Sequence, residues 1–207
     1  MERLTLAALV GYVLGSIPTA YLVVRWNSQV DIRTAGSGNV GTLNALQVTK
    51  SKAVAGVVLL VDLLKGLGAV ALARELFGPA PDPGSLAALG SVIGHNYPVW
   101  LRGKGGRGLA TAAGGALLTF WGVIPAWGLF WVLAFGLIRQ VNPASAVACL
   151  LTVATVLASP ALLPGGERLG ALSPGCFTVL LMSVILLRLI EPVRSYLYAL
   201  KRQRSGQ

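Results

Sequence analysis

Two glycine-rich stretches hold most of the side chains that could do chemistry. One reads GHNYPVWLRGKGGRGLAT, from Gly94 to Thr111, and contains His95, the only histidine in the chain. The other reads GSGNVGTLN, from Gly36 to Asn44. Within 103–108, glycines let backbone N–H groups approach an anion closely. A helix expected to start at about Gly108 would add unpaired N–H donors and a positive dipole end. Lys104 and Arg107 add full charges, and an arginine can grip a phosphate with two bonds. Together these make a phosphate cradle, although a flexible basic turn between two membrane spans has the same composition. The stretch is not a Walker A loop, because no Ser or Thr follows Lys104.

The 36–41 stretch fits G-x-G-x-x-G in form only, since a dinucleotide site needs a strand before it and a βαβ unit around it. Ser37, Asn39 and Asn44 offer hydrogen bonds beside exposed backbone, and the same residue types serve as ordinary turn and cap residues. Asp62 and Lys65, three apart in DLLKG, share a helix face. A structural ion pair is the favoured reading for them, with a place near the site as the other. A lone histidine cannot build a metal site with its own kind. His95 could donate to a phosphate or a developing oxyanion, but a satisfied interior histidine is the simpler reading.

The elements that must position these residues are apolar. The 207 residues are 55% hydrophobic and 12% charged, with mean hydropathy +0.72, which is too apolar for a soluble domain and implies an all-α, polytopic membrane protein. Uncharged or nearly uncharged regions fall at 4–24, 53–73, 84–101, 108–138, 140–166 and 169–187. The first is read as a retained span and not a cleaved signal peptide. The fourth would extend about 46 Å as one helix, against a hydrocarbon core of about 30 Å, and Gly122 and Pro125 offer a turn within it.

Charge chooses between one crossing and two. With the N-terminus outside, Arg25, Arg33, Lys50, Lys52, Arg102, Lys104 and Arg107 fall inside. If 108–138 doubles back, Arg139 and the tail with Arg188, Arg194, Lys201, Arg202 and Arg204 are inside too. Only Arg3, Arg74 and Arg168 are then left outside, as the positive-inside rule favours. The expectation is one membrane domain over 1–207, with about seven helices, some short, and a cytoplasmic C-terminus. Both glycine-rich stretches then face the cytoplasm. The net charge of +10 is read as mostly topology, with some cations for anionic substrates or head groups and no nucleic-acid partner. Cys149 and Cys176 sit in apolar runs and read as small core residues.

Taken jointly, GSIPTAYL (15–22), GSGNVGTLN (36–44), DLLKG (62–66) and GHNYPVWLRGKGGRGLAT (94–111) resemble, in order and spacing, the bacterial acyl-phosphate:glycerol-3-phosphate acyltransferases, the PlsY family. The likeness covers roughly residues 10–145, and the chain reads as a divergent member. The resemblance implies acyl transfer from acyl phosphate to the 1-hydroxyl of sn-glycerol-3-phosphate. The product would be lysophosphatidic acid, for phospholipid synthesis. It implies no cofactor, no metal and no covalent acyl-enzyme, with membrane lipid as surroundings and a bacterial inner-membrane location with the site on the cytoplasmic side. A monomer suffices for this arrangement, and the sequence does not fix the oligomeric state.

By the same resemblance, Ser37, His95 and Lys104 are the catalytic candidates. Gly38, Asn39, Asn44, Gly105, Gly106, Arg107, Thr111, Arg139 and Asn142 are the substrate-binding ones. Catalysis would rest on positioning and charge neutralisation, because phosphate is already a good leaving group. The His-x4-Asp pattern of other membrane glycerolipid acyltransferases is absent, since Trp100 stands at that place. The chain departs from the family at Leu43 (usually Thr), Gln47 (usually Arg), Asn142 (usually Ser) and Pro192, where a C-terminal asparagine is usual. Losing an arginine from a phosphate site would remove about 1.5–3 kcal/mol of interaction. Two alternatives therefore stand beside an active acyltransferase: a diverged paralogue that binds phospho-compounds without this turnover, and an anion transporter.

Overall fold

The structure, a computed structural model, describes residues 2–79, 81–166 and 172–204. Arg168 and the start of the last apolar run, 169–171, lie outside them. The described residues are helical, with no strand. Helices α1 (Glu2–Gly15) and α2 (Thr19–Ser28) form one apolar run broken at its middle. Pro18 causes the break, because it has no N–H to continue the ladder and its ring disfavours helix at Ile17. After a loop come α3 (Thr42–Thr49) and the long α4 (Lys52–Phe77). Ser51 caps α4, its side chain accepting from the Val54 amide at 3.3 Å, so one of the orphan donors of the first turn is satisfied.

Helix α5 (Pro81–Asn96) leads through a single 3₁₀ turn at Val99–Leu101 into the second glycine-rich loop. The 108–138 run divides into α6 (Leu109–Leu118) and α7 (Val123–Ile138). The turn between them is pinned at Gly122, whose amide donates to the Pro164 carbonyl at 3.0 Å. Helices α8 (Val141–Ala158) and α9 (Pro174–Arg204) complete the fold. Among the described residues, four segments are long and apolar enough to cross a membrane: α1 with α2, α4, α8 and α9, while α6 and α7 are shorter apolar helices. Pro192 lies inside α9 without ending it, and it leaves the Arg188 carbonyl without a helical donor.

Small residues bring the helices close. A methyl added at Gly11 or Gly15 of α1 would overlap backbone carbonyls of α5, and one at Gly90 or Gly94 of α5 would overlap carbonyls of α1. In the α4–α6 seam, Gly66 faces the Thr111 carbonyl and Gly114 faces the Leu63 carbonyl in the same way. Membrane helices associate through such backbone approach, since lipid tails are as apolar as leucine. A core of Ala116, Phe120, Phe177, Leu181, Ile185 and Val156 joins α6 and the turn after it to α8 and α9. Cys149 belongs to that core, as its apolar surroundings imply. Cys176 does not: it is exposed, near the start of α9, on the face turned away from the core.

The α4–α6 seam yields a stability prediction. Gly66→Val should lower the unfolding free energy in detergent by at least about 2 kcal/mol, because the overlap is with backbone that cannot move aside. Gly68→Val, where an added carbon meets nothing within 4 Å, should keep the parental unfolding midpoint. Equal midpoints for both variants would contradict the seam.

Candidate active site

The first glycine-rich loop is organised from within by Asn44. Its side-chain Oδ1 accepts from the Ser37 amide at 2.9 Å. Its Nδ2 donates towards the carbonyls of Ile32, Ala35 and Asn39 at 3.1, 3.0 and 3.0 Å. The residue is 1% exposed, so every polar atom of its side chain is committed to the loop. Asn44, expected as a substrate contact, holds the loop in this structure: a buried amide must satisfy its own hydrogen bonds, and the loop backbone does so. Gly36 (φ +58°) passes so close to Asn44 Oδ1 that a methyl would overlap it. Gly38 is also left-handed (φ +71°), which lets the chain turn there and leaves the Ser37 side chain exposed and Asn39 half-buried.

Arg33 begins the same loop and is already paired there. Its guanidinium holds Asp31 at 2.6 Å and lies 5.0 Å from the centre of the Tyr21 ring. That hydrogen-bonded arginine holds the Asp31 carboxyl down to about 2. Leu43 and Gln47, the two departures on α3, are one turn apart and exposed.

The second loop is built from α5. A helix end leaves carbonyls without donors, and the loop supplies them. The Gly106 amide donates to the His95 carbonyl at 3.1 Å, and the Gly105 amide to the Asn96 carbonyl at 3.2 Å. Gly103 and Lys104 donate to the carbonyls of Pro98 and Leu101 at 3.0 and 3.1 Å. The expected cradle of glycine amides is therefore corrected: Gly105 and Gly106 turn their N–H groups toward α5. Their carbonyls face the other way and accept from Arg188 of α9, Gly105 at 2.8 Å and Gly106 at 3.0 Å. The cationic side chains at this loop are the exposed Lys104 and the half-buried Arg107, beside the start of α6 behind Gly108. Burial and the nearby Arg188 guanidinium push Arg107 below its ordinary value.

The two loops meet above a buried polar cluster. A methyl at Gly106 would overlap His95 Nε2 and lie 2.6 Å from the Val40 carbonyl of the first loop. A small cavity of about 10 Å³, room for about one water, is bounded there by Thr19, Val40, Asp62, Lys65, His95 and Gly105. Lys65 Nζ lies 3.0 Å from Asp62 Oδ1 and donates at 3.0 Å to the Ile17 carbonyl, which the Pro18 break turns out of the helical ladder. His95 Nδ1 stands 3.7 Å from the same Asp62 oxygen. The pair read as structural therefore also supports the histidine of the site.

Three expected contacts lie elsewhere. Thr111 is fully buried on α6, with its carbonyl in the α4–α6 seam, because the first turn of α6 already packs on α4. Arg139 caps α7 in a left-handed conformation, exposed, with Nε donating back to Gly136 at 3.1 Å. Asn142 is half-buried in the first turn of α8. Among the described residues no hydrogen bond or ion pair joins Arg139 or Asn142 to the two loops. Sequence reasoning missed Arg188 and Asn96. Asn96 is fully buried and donates to the Val184 carbonyl of α9 at 3.0 Å. The available signal was a cation at the end of an apolar run, which usually faces protein.

Comparison with known proteins points one way. The family model for glycerol-3-phosphate acyltransferase matches residues 5–198. A glycerol-3-phosphate acyltransferase of Rubrobacter xylanophilus is 37% identical over 204 residues, covering 98% of this chain and 96% of that one. Its counterpart from Myxococcus xanthus is 38% identical over 173 residues, covering 84% and 88%. Among solved structures, PlsY, an integral membrane glycerol 3-phosphate acyltransferase, in its glycerol 3-phosphate form, matches with a TM-score of 0.77. That match has 27% identity and covers 95% of this chain and 92% of that one. Its lysophosphatidic acid form matches with a TM-score of 0.70 at 26% identity, with the same coverage.

The Arg188 bonds generate a prediction that needs no knowledge of the ligand. In Arg188→Gln, amide exchange at 103–107 should accelerate at least about tenfold, since charge-assisted bonds of about 1.5–3 kcal/mol are lost. Exchange in α4 should stay as it was. Parental exchange at the loop would show that Arg188 does not hold it.

Proposed function

The chain belongs to the glycerol-3-phosphate acyltransferase family, and from that premise we propose that it transfers an acyl group from acyl phosphate to the 1-hydroxyl of glycerol-3-phosphate, giving lysophosphatidic acid for phospholipid synthesis. The observation that carries this reading is the convergence of the two loops over His95, with Lys104 and Arg107 beside them. Both substrates carry phosphate, and two cationic side chains on one face suit both. Lys104 and Arg107 hold phosphate, Ser37 and Asn39 form the opposite wall, and His95 sits beneath, its imidazole against Gly106.

The hydroxyl oxygen of glycerol-3-phosphate attacks the acyl carbonyl carbon. A new ester bond forms, the bond from that carbon to the phosphate oxygen breaks, and the hydroxyl proton leaves with phosphate. No enzymic nucleophile is needed, so the protein contributes orientation and charge neutralisation. The acyl chain lies in an apolar cavity of about 240 Å³ between α6, α7 and α9. Leu109 and Ile185 line it, and they stand within about one turn of Arg107 and Arg188 along their helices.

Seven segments cross the membrane in this reading: α1 with α2, then α4 to α9, as a single domain. The N-terminus is outside, and the two loops and the C-terminus are at the cytoplasmic face of a bacterial inner membrane, which keeps most of the lysines and arginines inside. Gln47 favours a second reading, a binder of phospho-compounds without turnover. With Arg33 held by Asp31, the first loop offers no other arginine to replace the one the family usually has there.

An acyl-transfer assay decides between them. Purified protein given palmitoyl phosphate and glycerol-3-phosphate should release phosphate and form lysophosphatidic acid in equal amounts. Lys104→Ala and Ser37→Ala should each lower the rate by about 100-fold or more. Full turnover in both variants would sink the site assignment, and no turnover by the folded parent would favour the binder.

A further inference from the structure

The walls of the apolar cavity follow the helix registers away from the cations. On α6, Leu109, Ala112 and Ala116 lead from the loop inward, and on α9, Ile185 and Leu181 do the same from Arg188. Seven residues of helix carry each row about 10 Å. The third wall is α7, with Val123, Trp127 and Gly128. Gly128 lines the same cavity as Ala112 and Ala116 of the α6 row. A carbon added at Gly128 meets nothing within 4 Å, so the space beside it belongs to the cavity.

That wall is fixed in place. Trp127 donates its indole N–H to Cys149 Sγ of α8 at 3.3 Å. Its ring stacks on Trp131 (6.3 Å between centroids), which stacks on Phe135 (4.9 Å). A cavity with one wall tied by a hydrogen bond and two stacked rings cannot widen by swinging its largest side chain. Gly136 of the same helix is equally unobstructed, but it is exposed and lines no part of the cavity.

We propose that Gly128 sets the acyl-chain selectivity of this enzyme: the room left by its missing side chain admits the body of a long chain, and a side chain there would restrict the cavity to short ones. The inference rests on the assignment of the cavity to the acyl chain of the donor. It adds the residue that decides which donors fit.

The test compares the parent, Gly128→Ala, Gly128→Leu and Gly136→Leu with octanoyl and palmitoyl phosphate at fixed glycerol-3-phosphate. Gly128→Leu should lower kcat/KM for palmitoyl phosphate at least about tenfold relative to octanoyl phosphate, as expected when apolar room is removed from a pocket. Gly128→Ala should fall between it and the parent, and KM for glycerol-3-phosphate, measured in a separate series at fixed octanoyl phosphate, should not move. Gly136→Leu should keep the parental ratio. Thermal unfolding of each variant reports folding separately, and octanoyl turnover shows that the reacting centre is intact. An unchanged ratio in Gly128→Leu, or an equal fall with both donors, overturns the proposal. A parent that turns over neither donor overturns the acyl-phosphate reading itself, an outcome its own rate reports apart from the ratio.

Discussion

Among the described residues Arg188 is held without a carboxylate. Its guanidinium donates to the carbonyls of Gly105 and Gly106 and lies 5.4 Å from the centre of the Tyr97 ring. A partly buried cation needs such partners, because losing water without replacement costs several kcal/mol. The consequence runs through the whole site. Both carbonyls are drawn to α9, and the amides of the same two residues face α5, where the helix end lacks donors. The loop is thus sewn between two helices by its backbone at 103–106. The side chains of Lys104 and Arg107 and the start of α6 are left for a ligand.

A second dependency lies beneath the loops. The Pro18 break frees the Ile17 carbonyl, that carbonyl takes one bond of Lys65, and Lys65 neutralises Asp62 next to His95. Ionisable groups in apolar surroundings persist only when paired and turned inward. Here the pairing links α1, α4 and α5 at the point where both loops close. The glycine seams of α1 with α5 and of α4 with α6 make that geometry possible, since side chains at those positions would hold the helices too far apart for the cluster to form. Local sequence, helix packing and site electrostatics depend on one another here.

The membrane character and the two loops were legible because glycine and charge are so unevenly placed along the chain. So was the division of 108–138, from its length and the turn residues near Gly122. The direction of the peptides at Gly105 and Gly106 was not legible, because it follows from Arg188, more than eighty residues away. Asn44 was read as a ligand contact for a similar reason: its four backbone partners become neighbours only after the loop has closed. Thr111 and Cys176 show the limit of pattern alone. Both sit in apolar runs, yet one is in a helix seam and the other on the outside, and helix pairing decides which.

In the proposed site the two loops bind one phosphate through side chains and the start of α6. The most direct measurement is a crystal structure of this protein with glycerol-3-phosphate bound. The phosphate should lie within hydrogen-bond distance of Lys104 and Arg107, with Ser37 or Asn39 on the other side and the Gly105 and Gly106 amides still bonded to α5. A phosphate held by those two glycine amides, or bound at the turn of Arg139 and Asn142, would contradict it.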